Sequence, residues 1–205
     1  DNERLSRGDT FVKQVGGAEL NVAVGAALLG LHTGVISKLP AHDIGSFMKG
    51  KIRSFGVSDD FFMYDQSSSA RVGIYYYENG AYPRKPKVIY DRNNSSFFSL
   101  NIDEIPEEVY TASKCFHTTG ITLALNEDIR ETTIDMIKRF KAAGTLVSFD
   151  VNFRGNLWTG DEARECILRI LPYVDIFFCS EDTARLTFLK TGTAREMMKS
   201  FTEEF

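Results

Sequence analysis

Residues 114–151 read KCFHTTGITLALNEDIRETTIDMIKRFKAAGTLVSFDV, and this stretch decides the fold. The short apolar runs at its two ends, residues 114–118 and 145–151, predict strands. Between them, residues 126–143 predict a long amphipathic helix with an asparagine as its N-cap and a glycine after its last turn. The second strand is apolar along most of its length, as expected when helices cover both faces of a parallel sheet.

The same alternation of apolar runs and helical patterns continues on both sides of this unit. Residues 33–39 and 175–179 predict further strands, residues 44–55 predict a helix ended by a glycine, and residues 161–171 predict a helix stopped by a proline. Strands and helices at this spacing favour βαβ units with right-handed crossovers around a mostly parallel sheet. The predicted fold class is therefore α/β, with a single domain over residues 1–205.

Residues 59–92 show a different pattern, with three short β-rich runs separated by serine, proline and Asn-Gly turns. No helical period lies between these runs, so they predict a small antiparallel sheet added to the α/β body. The sequence FVKQV, within residues 8–15, predicts one more strand of that sheet. A small sheet of this kind must bury one face, either over an active site or against another subunit.

Length and composition limit the classes of protein that remain. The 205 residues suit one domain or at most two small ones, and 43% hydrophobic residues are enough for a sizeable core. A net charge of -4 argues against general binding of nucleic acid. Three cysteines without CxxC spacing indicate neither a disulfide framework nor a zinc site, so we expect a reducing cytoplasm. The apolar run at residues 20–31 is too short to span a bilayer and predicts a buried helix.

Several common catalytic motifs are absent from the sequence. It contains no P-loop of the form GxxxxGKS or GxxxxGKT, no GxGxxG after a strand, no HExxH and no GxSxG. Dinucleotide-dependent Rossmann enzymes, P-loop proteins and the common hydrolase classes are therefore poorly supported.

A glycine doublet at the start of a helical pattern is the first candidate site. Residues 15–30 read VGGAELNVAVGAALLG, and Gly16 and Gly17 let the backbone approach a ligand closely. Asn21 lies in the first turn of the following helix, where its amide offers a donor and an acceptor to a polyol. A plain Gly-Gly turn before a core helix accounts for this pattern equally well.

Polar side chains at the end of the strand at residues 145–151 form the second candidate site. Asp150, Asn152 and Arg154 alternate along the chain, so on a continuing strand they would point to one side together. Open α/β sheets bind their ligands at the carboxyl ends of the strands. The alternative is a structural Asp–Arg network that supports a loop.

These motifs together resemble one family. Gly16, Gly17, Asn21, Ala23 and Gly30 are similar to the first signature of the ribokinase-like, phosphofructokinase-B-type carbohydrate kinases. The resemblance extends over nearly the whole chain, and within the family it is closest to 2-keto-3-deoxygluconate kinases. The segments that carry it are GIYYY, VIYDR, HTTGITLAL, SFDVNFRGNLW and CSEDTAR. It implies a ribokinase-like three-layer sandwich with a mostly parallel central sheet, in which the strands within residues 8–15 and 59–92 form a lid.

The resemblance also implies an activity. We expect ATP-dependent phosphorylation of 2-keto-3-deoxygluconate in the cytoplasm, with Mg²⁺, by a homo-oligomer joined through the lid sheet. Neither a nucleic acid nor a membrane is expected as a partner. A kinase for a neutral sugar, of the fructokinase or ribokinase type, is the first alternative. A non-catalytic sugar-binding remnant is the second.

A sugar acid needs a cation for its carboxylate, and arginine offers a planar pair of donors for it. The resemblance assigns Asn152 and Ser180 to the nucleotide, although the family's NxxE motif is not intact at Ser180. For the tyrosines, an ordinary strand or interface role is the alternative, and Arg84, Lys85 and Lys87 are expected to form a solvated turn. The substrate-pocket positions implied by the resemblance are Gly16, Gly17, Asn21, Tyr75, Tyr90, Arg92, Ile121 and Arg154.

The family's catalytic turn is absent from these residues. In the family, a late turn of the Gly-Ala-Gly-Asp type supplies the anion hole and the base, and no GAGD or GSGD occurs here. The acidic residue of the family's first strand would lie before Asp1. We therefore expect a chain truncated at both ends, inactive by itself, with Arg154 as a supporting cation and no metal ligand. His117, Cys166, Cys179 and Trp158 are expected to be core residues.

Overall fold

The computed structural model describes residues 3–205, and the chain divides into two units, one ending at Leu100 and the other beginning at Asn101. In the first unit, strands β1 and β3 pair in parallel, as do β2 and β4, whereas β5 and β6 form an antiparallel pair. The elements of this unit are α1 (Ala18–Leu28), β1 (Thr33–Gly34), β2 (Ser37–Pro40), α2 (Asp43–Ser54), β3 (Val57–Ser58), β4 (Phe62–Asp65), β5 (Ile74–Glu78) and β6 (Lys87–Asp91).

An apolar cluster holds the helices of the first unit onto its parallel strands. Leu20 of α1 and Ile52 of α2 are buried with one residue from each of three strands, Leu39, Val57 and Phe62. Helix α2 lies so close to the end of β2 that a Cβ at Gly45 would overlap the carbonyl oxygen of Pro40. Glycine is therefore required at that position by the packing of helix on strand.

In the second unit, three parallel strands lie in the order β7-β8-β9. The long helix begins after Asn126, whose side chain accepts a hydrogen bond from the Ile129 N–H at 2.8 Å, and the chain leaves it through Gly144 at a φ of 82°. The elements are α3 (Glu108–Ala112), β7 (Cys115–Thr119), α4 (Gly120–Leu123), α5 (Glu127–Ala142), β8 (Leu146–Asp150), α6 (Gly160–Leu168), β9 (Ile176–Phe178), α7 (Glu181–Phe188) and α8 (Ala194–Glu204). The predicted strand–helix–strand unit is confirmed.

The predicted lid sheet is smaller than expected. The run at residues 62–65 pairs in parallel with β2, because its first side chain, Phe62, joins the apolar cluster of the first unit. Residues 11–15 are not in a strand; instead the Phe11 ring packs edge-on against Tyr76, with ring centroids 5.4 Å apart. The antiparallel sheet therefore consists of β5 and β6, which lie within residues 59–92 as predicted, whereas the strand predicted within residues 8–15 is not formed.

Helix α1 forms where the sequence predicts a helix, but the expectation that this segment is buried is wrong. Leu20 is buried, whereas Leu28 and Leu31 are 79% and 63% exposed. The reason is that α1 packs against β1 and β3, which have two residues each and cover only one of its faces. Among residues 3–205, no helix is both long and apolar enough to cross a membrane.

Candidate active site

The glycine doublet and Tyr75 of β5 are in direct contact. A Cβ at Gly16 would lie 2.5 Å from the Tyr75 hydroxyl oxygen, so no larger residue fits there without moving the phenol. Gly17 is the N-cap of α1, and its carbonyl accepts the Asn21 N–H at 2.9 Å. Asn21 itself is exposed, so its side-chain amide is accessible to a ligand.

A row of side chains continues from Tyr75 across the antiparallel pair. Tyr75 and Tyr90 are register partners on β5 and β6, with ring centroids 6.2 Å apart, and each is about half exposed. The Arg92 guanidinium carbon lies 4.4 Å from the centroid of the Tyr90 ring, which is a cation–π contact. The structure thus brings together the doublet, both tyrosines and Arg92, all within the first unit.

The second unit collects its predicted site residues at one edge of its sheet. Thr119 is the register partner of Asp150, which in turn is the partner of Phe178. The segments after these positions therefore leave the carboxyl ends of three adjacent parallel strands, where ligands bind in α/β sheets. The predicted residues on these segments are Ile121, Asn152, Arg154 and Ser180.

The prediction for Asp150, Asn152 and Arg154 requires a strand that continues past Asp150, but β8 ends there. Asn152 has a φ of 38°, in the left-handed region, and its N–H donates to the Asp150 carboxylate at 3.0 Å. This Asx-type turn redirects the backbone, so the expectation that three alternating side chains share one side of a strand is wrong. Gly120 contributes to the close packing here, because a Cβ on it would overlap the Val151 carbonyl oxygen.

Arg154 is exposed, and its guanidinium donates to the neighbouring Phe153 carbonyl at 3.2 Å. No carboxylate within residues 3–205 forms an ion pair with it, and the same holds for the half-buried Arg92. The structural Asp–Arg network considered as an alternative for Asp150 and Arg154 is therefore not formed. Both arginines have charge available for an external anion.

Ser180 has a structural role of its own. Its hydroxyl oxygen accepts the Thr183 N–H at 3.2 Å as the N-cap of α7, and lies 2.9 Å from the Thr183 hydroxyl. Glu181 and Asp182 follow in the first turn, and their charges oppose a phosphate at this helix terminus. These residues fit the uncharged part of a nucleotide, its base or ribose, better than its phosphates. Contact of Asn152 or Ser180 with a nucleotide stays a prediction.

The residues expected to be structural are mostly so. Trp158 is 5% exposed and packs beside Gly120, and Cys166 is also buried. The His117 Nδ1 lies 2.9 Å from the Ser148 hydroxyl across β7 and β8. Cys179 is only half-buried, and burial together with the charge of Asp150 raises the pKa of its thiol to about 12.

Sequence reasoning missed an ion pair in the hairpin formed by β5 and β6. Glu78 is almost fully buried, forms a salt bridge with Arg84, and accepts the Leu5 N–H at 2.9 Å. These contacts, the Leu5 hydrogen bond first, hold the pKa of the Glu78 carboxyl below its usual range. Arg84 is therefore not a solvated turn residue as expected. The available signal was a glutamate at the end of β5 followed by an arginine within the 79–86 turn.

An open cavity of about 490 Å³ adjoins this ion pair. It is lined by Arg4, Leu5, Ser6, Glu78, Arg84, Lys87 and Ile89, and none of the residues predicted to bind substrate is among them. The cavity and the row from the doublet to Arg92 are thus separate features of the first unit.

A family model for the pfkB family carbohydrate kinases matches residues 1–204. The chain belongs to this family. It is 33% identical over 205 residues to a 2-dehydro-3-deoxygalactonokinase of Haloferax volcanii, covering 64% of that protein. It is 32% identical over 178 residues to the protein named probable fructokinase-3 of Arabidopsis thaliana, covering 50% of it.

A solved structure supports membership of the same family. The 2-dehydro-3-deoxygluconokinase of Thermotoga maritima superimposes with a TM-score of 0.90 at 32% identity, over 100% of this chain and 62% of that one. The predicted ribokinase-like α/β fold is confirmed by this match. This pfkB-family chain spans less than two thirds of the length of these relatives.

The described part of this pfkB-family chain holds no ready-made cluster of metal-ligating side chains. Within residues 3–205, no group of three or more histidine, cysteine, aspartate or glutamate side chains is arranged to hold a metal ion. Mg²⁺ in phosphoryl-transfer sites is usually held by one or two carboxylates together with the substrate phosphates, so it does not require such a cluster.

Proposed function

We propose that this protein is a kinase that transfers the γ-phosphoryl group of ATP to a hydroxyl of a 2-keto-3-deoxy sugar acid. The observation that carries the proposal is that Arg92 in the first unit and Arg154 in the second each lack a carboxylate partner within residues 3–205. Family membership supports sugar phosphorylation in general, and the Haloferax and Thermotoga relatives are named for sugar acids. A negatively charged sugar is the substrate class that such arginines suit best.

In the first unit, Arg92 supplies the charge and the neighbouring groups supply hydrogen bonds. The guanidinium stacks on Tyr90, which leaves the edge of its donor fork available to a carboxylate. The Tyr75 and Tyr90 hydroxyls and the Asn21 amide are donors and acceptors for sugar hydroxyls. Gly16 allows the Tyr75 hydroxyl to lie directly against the doublet.

In the second unit, Arg154 and Asn152 leave the end of β8 beside Ile121 and Ser180. Arg154 is proposed to bind the substrate carboxylate and to support the negative charge of the reacting groups. Asn152 and Ser180 are proposed to contact the nucleotide. Phosphoryl transfer also needs a base and an anion hole, and the Gly-Ala-Gly-Asp turn that supplies them in the family does not occur in these 205 residues. We expect these residues alone to be inactive.

A coupled ADP-release assay on the full-length gene product tests the proposal. Its substrates are 2-keto-3-deoxygluconate, the galactonate epimer, fructose and ribose, each at several concentrations. We expect the highest kcat/KM with one of the two sugar acids. A higher kcat/KM with fructose or ribose contradicts the sugar-acid assignment but leaves the kinase assignment intact.

A kinase for a neutral sugar is the second candidate, favoured by the likeness to the Arabidopsis fructokinase. It predicts that substrate preference survives the loss of Arg92 and Arg154, because a neutral sugar has no carboxylate for them. A sugar-binding remnant predicts something different again. It would bind the sugar acid without releasing ADP, even as the full-length protein.

We further propose that two copies associate through the antiparallel pair in the cytoplasm. Every residue of β6 is exposed, including Val88, Ile89 and Tyr90, and an isolated two-stranded sheet is marginally stable in water. A second copy packed on the face that carries Ile89 would cover this side chain and leave Tyr90, on the opposite face, for the substrate. Sedimentation of the wild type should show an oligomer that Ile89→Glu dissociates, with Lys85→Glu as the control; a monomeric wild type contradicts the proposal.

A further inference from the structure

We infer that Arg71 is a positioning residue that holds Arg92 where it can bind the substrate carboxylate. The inference rests on the proposed function, because it assigns Arg71 a part in the same site. Arg71 lies just before β5, and Arg92 lies just after β6, so the two arginines flank the open end of the hairpin. None of the sequence motifs singled out Arg71.

The side chain of Arg71 holds the backbone on both sides of Arg92. Its Nη2 lies 2.8 Å from the Asp91 carboxylate and donates to the Asp91 carbonyl at 3.3 Å. Its Nη1 donates to the Asn93 carbonyl, also at 3.3 Å. The residues before and after Arg92 are therefore both bound to one guanidinium.

The backbone of Arg71 fixes the far end of the same turn. The Ser96 N–H donates to the Arg71 carbonyl at 2.8 Å, and the Arg71 N–H donates to the Ser96 hydroxyl at 3.2 Å. The Ser96 hydroxyl in turn donates to the Asp65 carboxylate at 2.8 Å. Since Asp65 ends β4, the turn at residues 91–96 is tied to the parallel strands as well as to the hairpin.

Little space is left for this turn to move. A Cβ at Gly73 would lie 3.0 Å from the Cβ of Arg92, so the two chain segments approach as closely as a glycine allows. Asn94 has a φ of 54°, and the Ser95 N–H lies 3.4 Å from the Arg92 carbonyl oxygen, which closes the turn. The position of the Arg92 backbone is thus set by its surroundings and not by its own side chain.

Arg71 is poorly suited to bind the substrate itself. Its guanidinium already donates to two carbonyls, and its charge is balanced by the Asp91 carboxylate. Arg92 has no such partner within residues 3–205, so it carries the available charge of this turn. A lysine at position 71 would keep the charge but lose the planar fork that reaches several acceptors at once.

The test compares Arg71→Ala, Arg71→Lys, Asp91→Asn and Arg92→Ala in the full-length protein. Arg53→Ala is the matched control, because Arg53 is an exposed arginine of the same unit that pairs with Asp59. Two kinds of measurement are made. Steady-state kinetics gives kcat and the KM values for the sugar acid and for ATP, and amide hydrogen exchange is followed over residues 88–98.

We expect Arg71→Ala to raise the KM for the sugar acid by about 10- to 100-fold, the scale of a misplaced binding group, with little change in the KM for ATP. Arg71→Lys and Asp91→Asn should give smaller increases, and Arg53→Ala none. Exchange at residues 91–96 should be faster in Arg71→Ala and unchanged in the control.

Several results overturn the inference. Unchanged amide exchange at residues 91–96 in Arg71→Ala overturns it, whatever the KM values are. A large rise in the KM for the sugar acid in Arg71→Ala, with no rise in Asp91→Asn, would mean that Arg71 binds the substrate directly. Faster exchange in Arg71→Ala without a change in its KM for the sugar acid overturns the inference as well. In that case, a raised KM in Arg92→Ala shows that the proposed function still stands. An unchanged KM in Arg92→Ala refutes the role of Arg92 itself, and this inference with it.

Discussion

Replacing Gly16 with alanine tests the contact that joins the glycine doublet to Tyr75 of β5. The new Cβ would lie 2.5 Å from the Tyr75 hydroxyl oxygen but 3.5 Å from the ring carbon that bears it. The first distance is about 1 Å shorter than an ordinary contact between carbon and oxygen, and the second is an ordinary contact. The hydroxyl must therefore move by about 1 Å in Gly16→Ala, whereas a phenylalanine at position 75 removes the overlap.

The free-energy cost of Gly16→Ala depends on which atoms have to move. Overpacking costs about 1–3 kcal/mol, and the low end of that range applies because the displaced atom is the tip of a side chain. Alanine also stabilises by about 0.4–1 kcal/mol through the unfolded chain, since Gly16 does not occupy the left-handed region. This second effect cancels in a double-mutant cycle with Tyr75→Phe. We expect a coupling free energy of about 1 kcal/mol between the two substitutions.

Urea unfolding of the wild type, the two single variants and the double variant measures this coupling. Gly16→Ala should be destabilising or neutral beside tyrosine and stabilising beside phenylalanine. If the two substitutions are additive within about 0.3 kcal/mol, the phenol does not rest on the doublet and the row of contacts in the first unit is refuted. Gly25→Ala, in the same helix region with open space around it, is the control.

Three further predictions concern stability and reactivity. Gly45→Ala should destabilise by about 1–3 kcal/mol because its Cβ overlaps a backbone carbonyl, whereas Gly50→Ala in open space on the same helix should stabilise by about 0.5–1 kcal/mol; equal urea midpoints contradict this. A hydrogen bond from Lys141 lowers the pKa of the Asp175 carboxyl, so its contribution to stability is present above the unfolded pKa of about 3.9 and lost as the pH falls through the folded pKa. The urea midpoint of Asp175→Asn should therefore lie below that of the wild type at pH 7 and converge with it near pH 2; a constant difference would refute the assignment. The Cys179 thiol, with its pKa raised to about 12, should react with iodoacetamide at pH 8 far more slowly in the folded protein than in urea, and equal rates would argue against burial of the thiol.

The helices and strands of the second unit were predictable because their signals are local, although β9 is more exposed than its apolar run indicated. The caps of the long helix at Asn126 and Gly144 and the apolar run of β8 each depend on neighbouring residues only. Strand β4 was predicted as a strand but with the wrong partners. Its side-chain pattern sets which residues are buried, whereas its parallel pairing with β2 depends on contacts distant in sequence.

Part of the candidate site was predictable from the family resemblance, and part of it was not. The grouping of Gly16, Tyr75, Tyr90 and Arg92 agrees with the family resemblance, because recurring motifs carry information about distant contacts. The turn at Asn152 was missed, although asparagine adopts the left-handed region more often than most residues and was the available signal. Arg71 was missed because its side chain binds groups some twenty residues away in the sequence. These are two backbone carbonyls and one carboxylate.

Arg154, just after β8, is proposed to bind the carboxylate of a sugar acid. Steady-state kinetics of Arg154→Ala in the full-length protein tests it most directly, with the exposed Arg195 of α8, replaced by alanine, as the control. We predict a KM for the sugar acid raised about 10- to 100-fold, as expected for the loss of a charge-assisted hydrogen bond of about 1.5–3 kcal/mol, with the KM for ATP nearly unchanged. An equal rise in both KM values, or no change in either, would contradict the claim.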